Sequence, residues 1–176
     1  PGEPMSCRKL LQTLLKCATG DGNLLMNVGP MPDGTMPPDH VARLREAGDW
    51  LKAHGEAVYG TRGGPFRNDE TGGMTCRGNT IYVHVWDWPA HRVCLPEINA
   101  RILSVYSPTA RDLHHEMVDG RLCFSVGEQD RLSLDTLVVL TLDRPAEAVR
   151  NNDLPWRLQQ TGKGHAALIV EDFLGQ

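Results

Sequence analysis

Asn23-Leu24-Leu25-Met26-Asn27-Val28, followed by Gly29-Pro30-Met31-Pro32-Asp33-Gly34, is the stretch on which the fold turns. The first six residues form a short, nearly continuous apolar run. Such a run fits a parallel strand covered on both faces, because a half-exposed strand would alternate apolar with polar residues. Two prolines and two glycines in the next six residues then force a loop. Upstream, Ser6 is a candidate N-cap for a helix whose apolar face holds Cys7, Leu10, Leu11, Leu14, Cys17 and Ala18. Gly20 follows as its C-terminal glycine. Downstream, Pro37-Pro38 opens a second helix with Asp39 in its first turn. Val41, Leu44, Ala47, Gly48 and Leu51 form the apolar stripe of that helix, and Gly55 is its stop.

A lone α-β-α stretch of this kind cannot bury its strand. The run 23–28 needs parallel neighbours on both edges, and no further βα unit follows it. The expectation is that the rest of a barrel or open sheet lies upstream, and the first residue, Pro1 rather than Met, agrees with that.

Beyond Gly60 the pattern changes. Residues 61–73 are glycine-rich and poor in apolar side chains, as a linker or long loop would be. Short strand candidates then recur at 79–88, 92–95, 101–107, 114–118, 121–126 and 136–142, with no helical periodicity between them. Asp119-Gly120 is a two-residue hairpin signal between two of these. Strands so spaced predict an antiparallel all-β sandwich. The division expected is therefore 1–60 as an α/β piece, 61–73 as linker, 74–143 as sandwich and 144–176 as a tail with no assignable structure.

The 176 residues are 40% apolar and 23% charged, within the range of globular proteins that bury a core. A net charge of −4, with Lys and Arg scattered, gives no basic stripe for nucleic acid. No stretch approaches the ~20 apolar residues of a membrane-spanning helix. The five cysteines, Cys7, Cys17, Cys76, Cys94 and Cys123, are too far apart for a C-x-x-C motif and are expected as buried or semi-buried free thiols.

Residues 22–35 resemble the last barrel strand and following loop of family 29 glycoside hydrolases, the α-L-fucosidases. The similarity continues through Arg43-Leu44-Arg45-Glu46-Ala47-Gly48-Asp49-Trp50-Leu51 and His54-Gly55-Glu56-Ala57-Val58-Tyr59-Gly60-Thr61-Arg62. It resumes at Arg77-Gly78-Asn79-Thr80-Ile81-Tyr82 through Asp87-Trp88-Pro89 and fades near Asp143. The resemblance implies an α/β plus all-β architecture: the last βα unit of a (β/α)8 barrel, then an antiparallel β-sandwich. It implies a parent enzyme that hydrolyses terminal α-linked L-fucose from glycans with retention, without a cofactor or metal. It also favours a secreted, periplasmic or lysosomal-type compartment. Retention requires two carboxylates ~5 Å apart; in the family both lie before the segment present here, so no catalytic residue is assigned to this chain. The partners implied are a fucosylated glycan and the missing barrel portion, with neither nucleic acid nor membrane. The alternative is a non-catalytic carbohydrate-binding or scaffold β-sandwich module.

Among individual residues, Asn27 is the candidate for a sugar-pocket wall or a support behind it, because barrel sites sit at the C-terminal ends of strands. Its competing role is to tie down the 29–34 loop. Asp21 and Asp33 precede turn glycines, where Asp serves the backbone, and Asp87 sits between two tryptophans; none has a second carboxylate placed to pair with it. Tyr82, His84, Trp86 and Trp88 share a strand face by period-2 spacing, which suits packing or a lectin-like platform. His114 and His115, adjacent on a strand, point to opposite faces and so do not build a metal site.

Overall fold

The computed structural model describes residues 5–131 and 134–157, and the backbone of 159–160 and 166–167. Helix α1 spans Cys7–Thr19, with the Ser6 hydroxyl accepting from the Lys9 amide at 3.2 Å as its N-cap. The C-terminal end differs from expectation by one residue. Gly20 has φ −86°, and the left-handed position is taken by Asp21 at φ +62°. The Gly22 amide donates to Cys17 O and the Asp21 amide to Ala18 O, a Schellman closure that satisfies two end carbonyls. Asp21 is tolerated there because its carboxylate is fully used: it accepts from the Gly63 amide at 3.1 Å and pairs with Arg62 at 2.7 Å.

The stripe that α1 buries is also different from the expected one. Cys7, Leu10, Leu11, Leu15 and Thr19 are buried, whereas Leu14, Cys17 and Ala18 are only half covered. Cys7, Leu10 and Leu11 pack with Ala47 and Met26, and Thr19, at the far end of the i, i+4 row 7-11-15-19, lies against Gly73. Helix α2 spans Pro38–His54, begins on its proline as expected, and passes into a short 3-10 turn, Gly55–Ala57. Of its predicted stripe only Ala47 is buried, and Leu44 is 36% exposed.

The run 23–28 forms no strand. No neighbouring strand accepts its backbone, so it crosses the helices as extended chain. Its side chains still alternate: Leu24, Met26 and Val28 are half buried, with Met26 packed on Cys7, Leu10, Leu11 and Ala47. Leu25 is 95% exposed, and Asn27 is exposed too. Leu25 points into solvent, while Asn27 borders a cleft shared with the helices.

The remainder is built from strands β1 (Arg62–Gly63), β2 (Phe66–Arg67), β3 (Gly72–Arg77), β4 (Thr80–Val85), β5 (Val93–Cys94), β6 (Ile102–Tyr106), β7 (His114–Val118), β8 (Arg121–Ser125), β9 (Thr136–Leu142) and β10 (Asn151–Pro155). One short helix, α3 (Glu128–Arg131), precedes β9. A five-stranded sheet runs β1-β3-β4-β9-β6 and a three-stranded sheet β5-β8-β7. The pairings within both are antiparallel. Asp119 and Gly120 carry φ +49° and +77°, the two left-handed residues of the β7–β8 hairpin.

The face of the large sheet carrying Met74, Ile81, Val83, Val138 and Leu140 packs on Val93, Leu122 and Phe124 of the small one, giving the main core. The opposite, outer face carries Thr75, Tyr82, His84, Leu137 and Val139. Ala57 of the 3-10 turn packs there against Tyr82, Leu137 and Val139. Helix α1 closes the same face: a Cβ on Gly73 would lie 2.7 Å from Thr19, and one on Gly63 would lie 2.3 Å from the Asp21 amide nitrogen. Only glycine permits that approach.

Three expectations change in this region. Residues 61–73 are not a bare linker, since β1 pairs with β3 and β2 pairs in parallel with β10. Residues 144–157 are ordered against the sandwich, with Trp156 fully buried. And the sequence pattern missed β3, whose glycines break the apolar signal.

Candidate functional site

Asn27 lies where the extended run meets the loop, and its side chain takes no part in holding that loop. The loop is held by its own groups: the Met31 amide donates to Thr35 O, the Gly34 amide to Met31 O, and the Thr35 amide and hydroxyl to Asp33 Oδ1 at 3.0 and 2.7 Å. These two Thr35 donors hold the Asp33 carboxyl below the usual range. Asp33 is therefore a turn residue, as Asp21 is a helix-end residue. Asp87 is exposed, and its amide donates to Thr71 O. Behind Asn27, a cleft of about 170 Å³ opens between Leu10 of α1, the segment 26–28, and His40, Arg43 and Leu44 of α2. Its walls are mostly apolar, and no carboxylate lines it.

The four aromatic positions beginning at Tyr82 do not form one platform. Strand β4 ends at Val85, so only Tyr82 and His84 share a strand face. Tyr82 is 4% and Trp86 3% exposed, and the Trp86 indole donates to Glu70 O at 2.7 Å. Trp88 turns toward the inter-sheet core, edge-on to Phe124 with ring centres 6.1 Å apart. His114 and His115 both lie on the exposed strand β7. Among the described residues no three of His, Cys, Asp and Glu converge as a metal site would require.

No local pattern in the sequence points to the pairing between His84 and Asp135. His84 Nδ1 lies 2.7 Å from Asp135 Oδ2, both side chains fully buried, and His84 Nε2 lies 3.4 Å from the Thr75 hydroxyl. The roles resemble a hydroxyl-imidazole-carboxylate relay. Two features remove it from catalysis. The Thr75 hydroxyl donates its one proton to Ala57 O at 2.6 Å, and no cleft reaches it, Thr75 being 0% exposed. Its work is structural, tying β3, β4 and the start of β9 to the turn that follows α2.

Cys94 and Cys123 correct the free-thiol expectation. They face each other across β5 and β8 as a disulfide, with Cα atoms 4.0 Å apart. Each sits near the centre of a predicted strand, but partner choice needs the register, which spacing does not supply. Cys7, Cys17 and Cys76 are free. Burial pushes the Cys7 and Cys76 thiols up.

The sequence model of the α-L-fucosidase family matches residues 3–56, the helices and the run between them. The α-L-fucosidase of Branchiostoma floridae is 40% identical over 83 residues, covering 46% of this chain and 18% of that protein. Human tissue α-L-fucosidase is 31% identical over 90 residues, 48% of this chain and 19% of that protein. The chain thus spans about a fifth of the length of these curated relatives. Among solved structures, the Thermotoga maritima α-fucosidase bound to a mechanism-based inhibitor superposes with TM-score 0.58 and 26% identity, over 78% of this chain and 35% of that one. Isoenzyme 1 from Paenibacillus thiaminolyticus shares the fold at TM-score 0.69 and 24% identity, over 79% of this chain and 35% of that one. Family pattern, relatives and fold agree: the chain is similar to α-L-fucosidases, a group of glycoside hydrolases, and the share of them that it spans is consistent with a C-terminal portion.

Proposed function

We propose that this chain is the C-terminal part of a retaining α-L-fucosidase that removes terminal α-linked L-fucose from glycans. In this proposal the nucleophile and the acid/base carboxylate come from barrel strands outside these 176 residues, and the chain alone is inactive. Residues 1–60 complete the barrel with its last strand and helix, and 74–143 form the C-terminal sandwich.

The observation that carries the proposal is the alternation at 24–28, inside the segment matched by the family. Leu24, Met26 and Val28 are half buried on the helices, whereas Leu25 stands 95% in solvent and Asn27 is exposed at the rim of the cleft. In a closed barrel the first set faces the helical shell and the second the interior. Asn27 then stands at the C-terminal mouth, as a wall of the sugar pocket or a support for it. A related structure from Thermotoga maritima was determined with fucose, which agrees with the substrate class.

Hydrolysis of a chromogenic α-L-fucoside tests this. The chain alone gives no turnover, and the chain joined behind the upstream barrel portion of a family relative does. In that fusion Asn27→Ala lowers kcat/KM about 10- to 100-fold, the scale expected for one pocket-positioning hydrogen bond. Turnover by the chain alone would overturn the proposal.

A further inference from the structure

The segment that holds the run 23–28, the loop and α2 is fastened to the large sheet at its entry and again at its exit. At the entry, the Asp21 carboxylate accepts from the Gly63 amide at 3.1 Å and pairs with Arg62 at 2.7 Å. Those two residues are β1, the edge strand of the sheet. Asn68, just after β2, donates its side-chain amide to Lys16 O at 2.9 Å and to the buried Thr19 hydroxyl at 2.8 Å. A Cβ on Gly73 would lie 2.7 Å from the Thr19 side chain, so the end of α1 is seated on the backbone of β3 itself. At the exit, the Thr75 hydroxyl of β3 donates to Ala57 O at 2.6 Å, both residues fully buried. Between these fixed points, Met26 packs on the helices through apolar contact.

Apolar contact is non-directional and sets no register; hydrogen bonds have a preferred distance and angle. Register matters here because a slip of one residue exchanges the two faces of an extended run, and would put Met26 or Val28 where Asn27 stands. An extended run rises ~3.3 Å per residue and does not stretch, so fixing its start fixes the height of Asn27. Asp21 stands two residues before that start. Its backbone is at φ +62°, the left-handed region that few residues besides glycine, asparagine and aspartate visit. One residue thus turns the chain out of α1 and anchors it to the sandwich.

We propose that Asp21 is a positioning residue for Asn27, and that through it the sandwich sets the register of the last barrel strand. The catalytic consequence rests on the fucosidase proposal; the anchoring rests on the bonds to Gly63, Arg62 and Asn68. The sandwich then contributes to turnover without touching the sugar.

Two substitutions separate position from folding. Asp21→Gly keeps the left-handed backbone and removes both carboxylate bonds. Asp21→Asn keeps the backbone and an acceptor for the Gly63 amide. In the chain alone, Asp21→Gly should leave the far-ultraviolet circular dichroism unchanged and move the amide resonances of Gly63 and of 24–28. Asp21→Asn should leave those of 24–28 in place. In the barrel fusion, Asp21→Gly should lower kcat/KM for a chromogenic α-L-fucoside about tenfold, the scale of a small misplacement, and Asp21→Asn should recover most of that loss. In the Asn27→Ala background, Asp21→Gly should cost less than about twofold, because the group that it positions is gone. Equal losses in the two backgrounds, or resonances at 24–28 that Asp21→Gly does not move, overturn the inference. Should Asp21→Gly fail to fold, Asn68→Ala removes the second tie at the same helix end and is read by the same two criteria. A wild-type fusion without turnover strikes the fucosidase proposal instead, and the resonances of 24–28 then decide the anchoring by themselves.

Discussion

The chain contains two nearly continuous apolar runs, Asn23 to Val28 and Thr136 to Leu142, and they have opposite fates. The second becomes β9, the strand between β4 and β6, hydrogen-bonded on both edges and buried at six of seven positions. The first acquires no strand partner and leaves Leu25 almost fully in solvent. Composition does not separate them. What separates them is the supply of neighbours: strand propensity expresses how well a residue fits a pleated, covered surface, and that surface must be provided by other strands. Antiparallel neighbours for β9 are supplied by β4 and β6 of this same chain. Parallel neighbours for 23–28 need crossovers of a dozen or more residues each, and none lies within the described residues.

The sharpest way to break this comparison is to attack the closed half at its plug. Trp156 is 0% exposed, its amide donates to Arg67 O, and its ring fills the space where Gly72 lacks a Cβ, which would sit only 2.4 Å from it. Trp156→Ala should cost about 3–5 kcal/mol of stability, the range for removing a large buried aromatic. Urea unfolding followed by far-ultraviolet circular dichroism measures this. A loss under about 1 kcal/mol would mean that residues past 144 are not part of the sandwich core. A smaller effect is expected at the three-stranded sheet. Cys94 and Cys123 close a separation of 29 residues, so reduction, or replacement of both by Ala, should cost about 2–4 kcal/mol. Alkylation under denaturing, non-reducing conditions should label Cys7, Cys17 and Cys76 only. Labelling at Cys94 would refute the pairing.

Why some of this was legible in the sequence and some not follows from the range of the interactions. Strands 114–118 and 136–142 match their predicted limits, and the 119–120 turn has the left-handed backbone that Asp-Gly implies. These are local signals. The order of strands, the disulfide, the His84–Asp135 pair and the covering of Tyr82 and Trp86 are set by register and by which elements stack. Periodicity within one segment does not encode that. Strand β3 was hidden because Gly72 and Gly73 are there to admit Trp156 and Thr19, a tertiary requirement that reads locally as a break. For the candidate site, Asn27 stands out in the sequence only as the polar residue ending an apolar run; the alternation around it, with Leu25 in solvent, is seen in the structure and not in that nearly continuous run.

The smallest expected effect is the most discriminating. Leu25 is 95% exposed in this chain, so Leu25→Ser removes almost no buried apolar area. Its cost should stay within about 0.5 kcal/mol, the range of surface substitutions. The same change behind a supplied barrel portion should cost about 2–5 kcal/mol, because Leu25 would then be packed on the barrel interior and its loss would leave a cavity holding a polar group. Measuring both by chemical denaturation puts one residue in two contexts and reads the difference directly. Backbone exchange gives the same contrast without mutation. Amides of 136–142, protected within the sheet, should exchange only with global opening, while those of 23–28 should exchange quickly in the chain and slowly in the fusion. If Leu25→Ser costs several kcal/mol in the chain alone, or 23–28 is protected there in a monomer, then the run is covered within these 176 residues. The open half would then be closed, and the barrel assignment would lose the observation that carries it.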